Sequence, residues 1–152
     1  MSMSLIHESL YQSENLAEVN IPSYISMLTD NVLQTYAEDK SKIQISQKIE
    51  KISLDLNTSI PIGLIVTELV TNSIHHAFPG SKKGKITIAL SSEQNNYELS
   101  VSDNGKGMPS GFLVEESESL GLKLVKMLTE QLNGNLELNT KNGTEYKIKF
   151  KI

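Results

Sequence analysis

An acidic residue and an amide, Glu68 and Asn72, lie four positions apart in the segment PIGLIVTELVTNSIHHAFP, residues 61–79. Side chains at i and i+4 share one face of a helix, so a helix here would stack the two groups. An asparagine oxygen is a hard, neutral ligand suited to Mg²⁺, which takes few protein ligands and leaves the remaining positions to phosphates and water. The pair therefore suggests a metal-bound nucleotide, with Glu68 orienting or deprotonating a metal-bound water. A polar stripe on a solvent-exposed helix would explain the pair equally well.

A second candidate group follows the apolar strand YELSVS and comprises residues 103–109, DNGKGMP. An aspartate at the end of a buried strand, here Asp103, can accept a hydrogen bond from an exocyclic amine such as that of adenine. Gly105 and Gly107 would let the backbone approach a flat ring closely, and Asn104 could reach the metal or the phosphates, with Met108 in the same loop. An ordinary hairpin turn at residues 104–105 is the alternative. It is weakened because the following segment is neither apolar nor strand-like.

Two further motifs contain glycine. In SLGLKL, residues 119–124, Gly121 lies at a helix start between Leu120 and Leu122. Backbone N–H groups and the positive end of the helix dipole make such a start a phosphate site; a Ser119 cap with an inconsequential glycine is the alternative. In NGT, residues 142–144, a hairpin turn is favoured, and Thr144 could add a hydroxyl. The sequence contains no GxxxxGK[ST] loop and no G-x-G-x-x-G after a first strand.

The histidines allow weaker inferences. His75 and His76 are adjacent, so they point in different directions on a helix and cannot form an i, i+4 metal pair, yet both stay near the face of Asn72. His7 is most simply a surface or packing residue.

Composition excludes several classes of function. The 152 residues carry a net charge of −4, and all 14 basic residues are lysine, which disfavours nucleic-acid binding and leaves no arginine finger. There is no cysteine for a disulfide, a thiolate zinc site or a thiol nucleophile. The longest apolar run, residues 60–66, is too short to span a membrane, and the first residues lack the layout of a signal peptide.

Hydrophobic periodicity predicts the elements that would position these groups. Apolar stripes predict helices over residues 21–36 and 120–132, and a third helix starting near Pro61, capped by Asn57 or Thr58 and ending at residues 78–80. Alternation predicts strands within 42–56, interrupted near residues 46–48, and at 86–90, 97–102, 135–138 and 146–152. The fold class is therefore α+β, a two-layer α/β sandwich with a mixed, mostly antiparallel sheet of about five strands and three helices on one face.

The order of these motifs resembles the ATP-binding domain of sensor histidine kinases, which belongs to the Bergerat-fold ATPase superfamily. The resemblance covers about residues 20–152. The leader SMSLIHESLYQSENL is similar to the end of the second helix of the dimerisation and phosphoacceptor hairpin. The expected organisation is a hairpin remnant with its linker over residues 1–20 and an ATPase domain over residues 21–152.

The resemblance implies roles for individual residues. Asn72 resembles the Mg²⁺-binding asparagine and Glu68 the acid one turn before it, both of them catalytic. Asp103 resembles the adenine-binding aspartate. The remaining nucleotide neighbours that the resemblance implies are His75, His76, Asn104, Gly105, Gly107, Met108, Leu120, Gly121, Leu122 and Thr144. Family members often carry a phosphate-binding lysine where His75 stands.

The expected activity is transfer of the γ-phosphoryl group of ATP to a histidine on a hairpin absent from this chain. His7 is not the expected acceptor, because the predicted helix and strands between His7 and Glu68 leave no room for a hairpin of two long helices. Expected partners are that hairpin and a response regulator, without nucleic acid or membrane contact by this fragment, which would be a monomer or weak dimer. The expected location is cytoplasmic, with a full-length protein that can be membrane-anchored. The alternatives are an anti-sigma-type serine kinase and a non-catalytic nucleotide-binding module, the latter supported by His75.

Overall fold

The computed structural model of the protein describes residues 18–37, 40–77, 83–105, 120–140 and 143–152. Ten elements organise these residues, and short 3₁₀ and π-helical turns occupy Lys40–Lys42 and Ser73–Ala77. In chain order the ten are β1 (Glu18–Asn20), α1 (Ile21–Tyr36), β2 (Ile43–Ile49), β3 (Ser53–Asp55), α2 (Leu56–Asn72), β4 (Gly84–Glu93), β5 (Asn96–Asp103), α3 (Leu120–Gln131), β6 (Asn135–Asn139) and β7 (Thr144–Lys151).

Five strands form one mixed sheet in the order β2-β4-β5-β7-β6, and β1 pairs with β3 in a separate two-stranded sheet. Only the β2–β4 pairing within the five-stranded sheet is parallel. Alternate residues of each central strand are buried, because one face of the sheet packs against the helices and the other is polar. The predicted α+β sandwich, with three helices and a mixed, mostly antiparallel sheet of five strands, is confirmed for the described residues.

Helix α2 begins earlier than the sequence predicted. Its N-cap is Asp55, whose carboxylate accepts a hydrogen bond from the backbone N–H of Thr58 at 3.0 Å, so the predicted cap at Asn57 or Thr58 is wrong. Pro61 consequently lies inside the helix. Proline removes one backbone hydrogen bond, but the cap and the burial of nearly every residue from Ser59 to Val70 outweigh that loss.

Strand β2 is also longer than predicted, because it continues through Ser46, Gln47 and Lys48, where the sequence suggested a break. These residues pair in register with Thr87, Ile88 and Ala89 of β4. A complete ladder with a neighbouring strand outweighs the weak strand propensity of a short polar stretch. The actual interruption falls between Ile49 and Ser53.

Helix α1 packs closely on α2. A Cβ atom added at Gly63 of α2 would collide with the hydroxyl of Tyr24 on α1, so a side chain here would force the Tyr24 ring to move. The buried core unites these two helices with α3 and with the inner face of the sheet. Within the described ranges, no helix combines the length and apolar character needed to cross a bilayer.

Candidate functional site

A buried carboxylate lies at the end of the central strand β5. Asp103 is 7% exposed and belongs to the face of the sheet that packs on the helices. The Ser73 hydroxyl donates to its Oδ2 atom at 2.8 Å, and the Gly105 backbone N–H donates to Oδ1 at 3.0 Å. These neutral donors fix the orientation of the carboxylate and leave each oxygen with further lone pairs. The arrangement can accept a hydrogen bond from a ligand amine.

Ser73, the first residue after α2, reaches this carboxylate. Helix α2 is regular to Asn72, and residues Ser73–Ala77 continue it with wider π-helical hydrogen bonding. Such turns occur frequently at functional sites. Sequence reasoning missed Ser73, and no spacing rule would have found it, because its partner lies 30 residues away in the chain.

Glu68 and Asn72 lie one helical turn apart on α2, as predicted, and both are half-buried. Asn72 directly precedes the serine that holds Asp103. Among the residues that the structure describes, no group of three or more His, Cys, Asp or Glu side chains could hold a metal. The Asn72 amide oxygen could hold a cation together with oxygen atoms of a ligand. That donor set fits Mg²⁺, which is usually bound through one or two protein ligands plus phosphates and water.

The residue that leads into β7 packs against the backbone of the same aspartate. Gly143 has a φ of +89°, and a Cβ atom there would collide with the backbone carbonyl oxygen of Asp103. Thr144 is 6% exposed and pairs with Asp103 across the β5–β7 ladder. The structure thus brings Thr144 to the position next to Asp103, although the two lie 41 positions apart in the sequence.

Asn104 has a structural role in the fold. Its backbone N–H donates to the carbonyl of Lys85 at 3.2 Å, and its side-chain Oδ1 accepts from the Lys85 N–H at 2.8 Å. These two bonds join the ends of β4 and β5. The predicted contact of Asn104 with a metal or phosphates has no such support in the structure.

Helix α3 starts at Leu120, so Gly121 lies in its first turn, as the sequence indicated. The two leucines on either side of Gly121 differ in solvent exposure, because Leu120 is 83% exposed and Leu122 is 3% exposed. Leu122 therefore belongs to the core, while Leu120 is open to solvent. The predicted site residues Gly107 and Met108 lie outside the described residues.

The two adjacent histidines lie in the π-helical turn. The exposed ring of His75 makes an edge-to-face contact with Tyr36 of α1, with ring centroids 5.2 Å apart. His75 is therefore packed against an aromatic ring at the position where a phosphate-binding lysine was expected. Only the backbone of His76 is described.

Tyr146 adds a polar group that the sequence did not indicate. Its side chain belongs to the buried face of β7, two residues after Thr144. Burial, with the negative charge of Asp103 as the second cause, raises the pKa of Tyr146 to about 12. The phenol is consequently neutral at physiological pH and available as a hydrogen-bond donor.

Comparison with known proteins identifies the family. Residues 57–152 match the family model described as "Histidine kinase-, DNA gyrase B-, and HSP90-like ATPase", and residues 1–36 match a model described as "Histidine kinase". The sensor histidine kinase PdtaS of Mycobacterium tuberculosis is 30% identical over 155 residues, covering 99% of this chain and 30% of the relative. Blue-light-activated histidine kinase 2 of Erythrobacter litoralis is 27% identical over 112 residues, covering 72% of this chain and 32% of the relative. The chain thus spans about a third of the length of these relatives.

Solved structures share the fold. The histidine kinase domain from the Erythrobacter litoralis EL346 blue-light activated histidine kinase superposes with a TM-score of 0.85 at 20% identity, covering 99% of this chain and 71% of that one. The catalytic domain of histidine kinase ThkA gives a TM-score of 0.69 at 19% identity, covering 88% and 94%. The chain therefore belongs to the histidine kinase-, DNA gyrase B- and HSP90-like ATPases, and the curated relatives that it resembles are sensor histidine kinases.

Proposed function

We propose that this domain binds ATP with Mg²⁺ between α2 and the sheet, and presents the γ-phosphoryl group to a histidine on a separate two-helix hairpin. The observation that supports this most is the buried Asp103 carboxylate, held by Ser73 and Gly105 directly beneath the π-helical turn. A buried carboxylate is costly unless hydrogen-bond donors satisfy it. Its presence at a strand end beside a predicted nucleotide loop is explained by a ligand donor.

Asp103 binds the adenine in this proposal. A carboxylate is an acceptor only, so it selects the exocyclic amine of adenine over the carbonyl oxygen that guanine carries at the same ring position. A buried polar group left unpaired by the wrong ligand costs much more than the matched hydrogen bond contributes, which makes such a site selective. Gly105, without a side chain, leaves room beside the carboxylate.

The phosphates lie toward Asn72 and the first turn of α3. The Asn72 oxygen would hold Mg²⁺, and that ion would supply neutralisation of the phosphate charge. Gly121 offers a backbone N–H at a helix start, where anions bind favourably. Glu68, half-buried one turn before Asn72, positions water near the phosphates and is a weak base at most. His75 lies at the position where a cationic lysine would bind a phosphate.

Transfer would break the bond between the γ-phosphorus and its bridging oxygen, release ADP and form a phosphorus–nitrogen bond to the acceptor imidazole. The domain contributes by holding ATP in line with the acceptor and by neutralising charge. We assign residues 21–152 to this domain because α1 packs on α2 through Tyr24 and Gly63. Residues 1–20 would be the end of the acceptor hairpin, and a response regulator would receive the phosphoryl group. A domain that uses ATP in this way would lie in the cytoplasm.

Replacing Asp103 by asparagine tests the proposal. Asp103→Asn removes the charge and turns one acceptor atom into a donor, so ATP·Mg²⁺ affinity should fall by about 10- to 100-fold in titration calorimetry. Asp55→Asn is the matched control, because Asp55 caps the far end of α2 and asparagine caps equally well. Unchanged affinity in Asp103→Asn, with intact folding, would refute the adenine assignment.

A transfer assay separates the alternatives. With a phosphoacceptor hairpin from a related kinase and labelled ATP, the proposal predicts an acid-labile, base-stable phosphohistidine. An acid-stable phosphoserine on a supplied protein substrate would instead indicate an anti-sigma-type serine kinase. Thermal stabilisation by ATP·Mg²⁺ without any transfer would indicate a non-catalytic module, which the exposed His75 at the expected lysine position favours.

A further inference from the structure

Tyr146 carries a buried hydroxyl without a hydrogen-bond partner among the described residues. The residue is only 3% exposed, so bulk water does not satisfy the group. Buried tyrosine hydroxyls usually find a partner, and each exception needs an explanation. A phenylalanine would fill the same apolar space between Val101 and Leu138, its neighbours across the ladder, without that cost. The hydroxyl is therefore available to a partner that arrives with a ligand.

The position of Tyr146 connects it with the adenine-binding carboxylate. Thr144 pairs directly with Asp103, and Tyr146 follows two residues later on the same, helix-facing side of β7. Diagonal neighbours of this kind lie about 7–8 Å apart, within reach of a long aromatic side chain. The charge of Asp103 acts on the phenol, yet both carboxylate oxygens accept from other donors, Ser73 and Gly105. A donor and an acceptor thus lie near each other without bonding to each other.

We propose that the Tyr146 hydroxyl donates a hydrogen bond to a ring nitrogen of the bound adenine, directly or through one ordered water. This inference rests on the proposed function, in which Asp103 accepts from the exocyclic amine. Adenine carries ring nitrogen acceptors, N1 and N7, on either side of that amine. A carboxylate acceptor beside a neutral phenol donor complements this edge, whereas guanine presents an acceptor where the carboxylate requires a donor. Tyr146 is therefore a second determinant of adenine specificity.

Tyr146→Phe removes the hydroxyl and little else. In titration calorimetry, ATP·Mg²⁺ affinity should fall about three- to tenfold, the usual effect of one hydrogen bond. The melting temperature of the nucleotide-free variant should equal or exceed that of the wild type, because an unsatisfied buried group is removed. A structural role for the hydroxyl would give the opposite result, a lower melting temperature without nucleotide.

Tyr24→Phe is the matched control. Tyr24 also has a buried hydroxyl without a partner among the described residues, but it packs against Gly63. Gly63 lies nine residues before Asn72, about 14 Å along the helix. Loss of that hydroxyl should leave ATP affinity within about twofold of the wild type, the scatter expected for a change that removes no ligand contact.

Two analogues, 1-deaza-ATP and 7-deaza-ATP, identify the nitrogen. Wild type and Tyr146→Phe should bind the analogue that lacks the contacted nitrogen with equal affinity. The affinity of Tyr146→Phe for the other analogue should remain below that of the wild type. A deficit that persists with both analogues would overturn the base contact, as would unchanged ATP affinity in Tyr146→Phe. If Asp103→Asn alone loses affinity, the Tyr146 inference fails while the proposed function stands. A wild-type domain that binds no ATP would overturn both.

Discussion

Replacing Ser73 by alanine should affect both stability and nucleotide binding, because this serine holds the adenine-binding carboxylate. Its hydroxyl donates to Oδ2 of Asp103 at 2.8 Å, and both residues are buried. Alanine fits the same space and keeps the helix, so the substitution removes the hydrogen bond and little else. Gly105 would then be the remaining donor to the carboxylate among the described residues.

The size of the effect follows from the charge of the acceptor. Hydrogen bonds to charged groups contribute about 1.5–3 kcal/mol, against about 1 kcal/mol for neutral pairs. The free energy of unfolding of Ser73→Ala should fall by that larger amount, which for a domain of this size lowers the melting temperature by about 4–10 °C. ATP affinity should fall about three- to tenfold, because a carboxylate held by one donor instead of two is less well oriented for the amine. Urea denaturation and titration calorimetry measure the two quantities.

Ser59→Ala separates orientation of the carboxylate from general loss of stability. Ser59 is fully buried in the first turns of the same helix, and its hydroxyl donates to the backbone carbonyl of Asp55 at 2.7 Å. It should lose stability but retain wild-type ATP affinity. A double-mutant cycle of Ser73→Ala with Asp103→Asn should show that the two effects on affinity are strongly non-additive. Additive effects, or a Ser73→Ala variant with wild-type stability and affinity, would refute the reasoning.

Two further predictions concern the edges of the site. Asn72→Ala should abolish the stimulation of ATP binding by Mg²⁺, measured by calorimetry with Mg²⁺ and with EDTA. A wild-type rate of Mg²⁺-dependent phosphoryl transfer in this variant would contradict the role of Asn72 as a metal ligand. Gly143→Ala should lower both the melting temperature and ATP affinity, because its φ of +89° costs a side chain about 1–2 kcal/mol and the added Cβ would displace the Asp103 backbone. Gly134→Ala is the control, because its Cβ would meet the carbonyl of Lys149 at 2.7 Å, toward the opposite end of β7. Equal losses of ATP affinity in both variants would exclude a local effect of Gly143 on Asp103.

The layout of the fold could be predicted from the sequence wherever local pattern and tertiary packing agree. The apolar stripe of residues 21–36 indicated both ends of α1, whose first turn contains Pro22. Where the two disagree, prediction failed. Pro61 normally indicates a helix start, but the Asp55 cap and deep burial extend α2 one and a half turns before it. Burial of this kind depends on distant partners, which local sequence does not specify.

The site residues also divide into those that a local motif indicates and those that depend on distant contacts. Asp103 and Thr144 could be singled out because each belongs to a motif with recognisable turn residues, and the two residues pair across the β5–β7 ladder. Ser73 and Tyr146 belong to no such motif. Ser73 acquires its role from a hydrogen bond to a strand 30 residues away, and Tyr146 from its register in β7. Contacts of this type become visible only when strand pairing and helix phase are known.

The phase of α2 explains why one of two adjacent residues was predicted and the other was not. Consecutive side chains on a helix diverge by about 100°, so Asn72 and Ser73 face different sides. Asn72 remains half-buried with Glu68, whereas Ser73 is buried against Asp103. An i, i+4 pattern therefore detects the residue predicted to face the phosphates and necessarily misses its neighbour. In the proposed complex, a single turn of α2 fixes the metal with one residue and the adenine-binding carboxylate with the next, which links the two ends of the nucleotide through one rigid element.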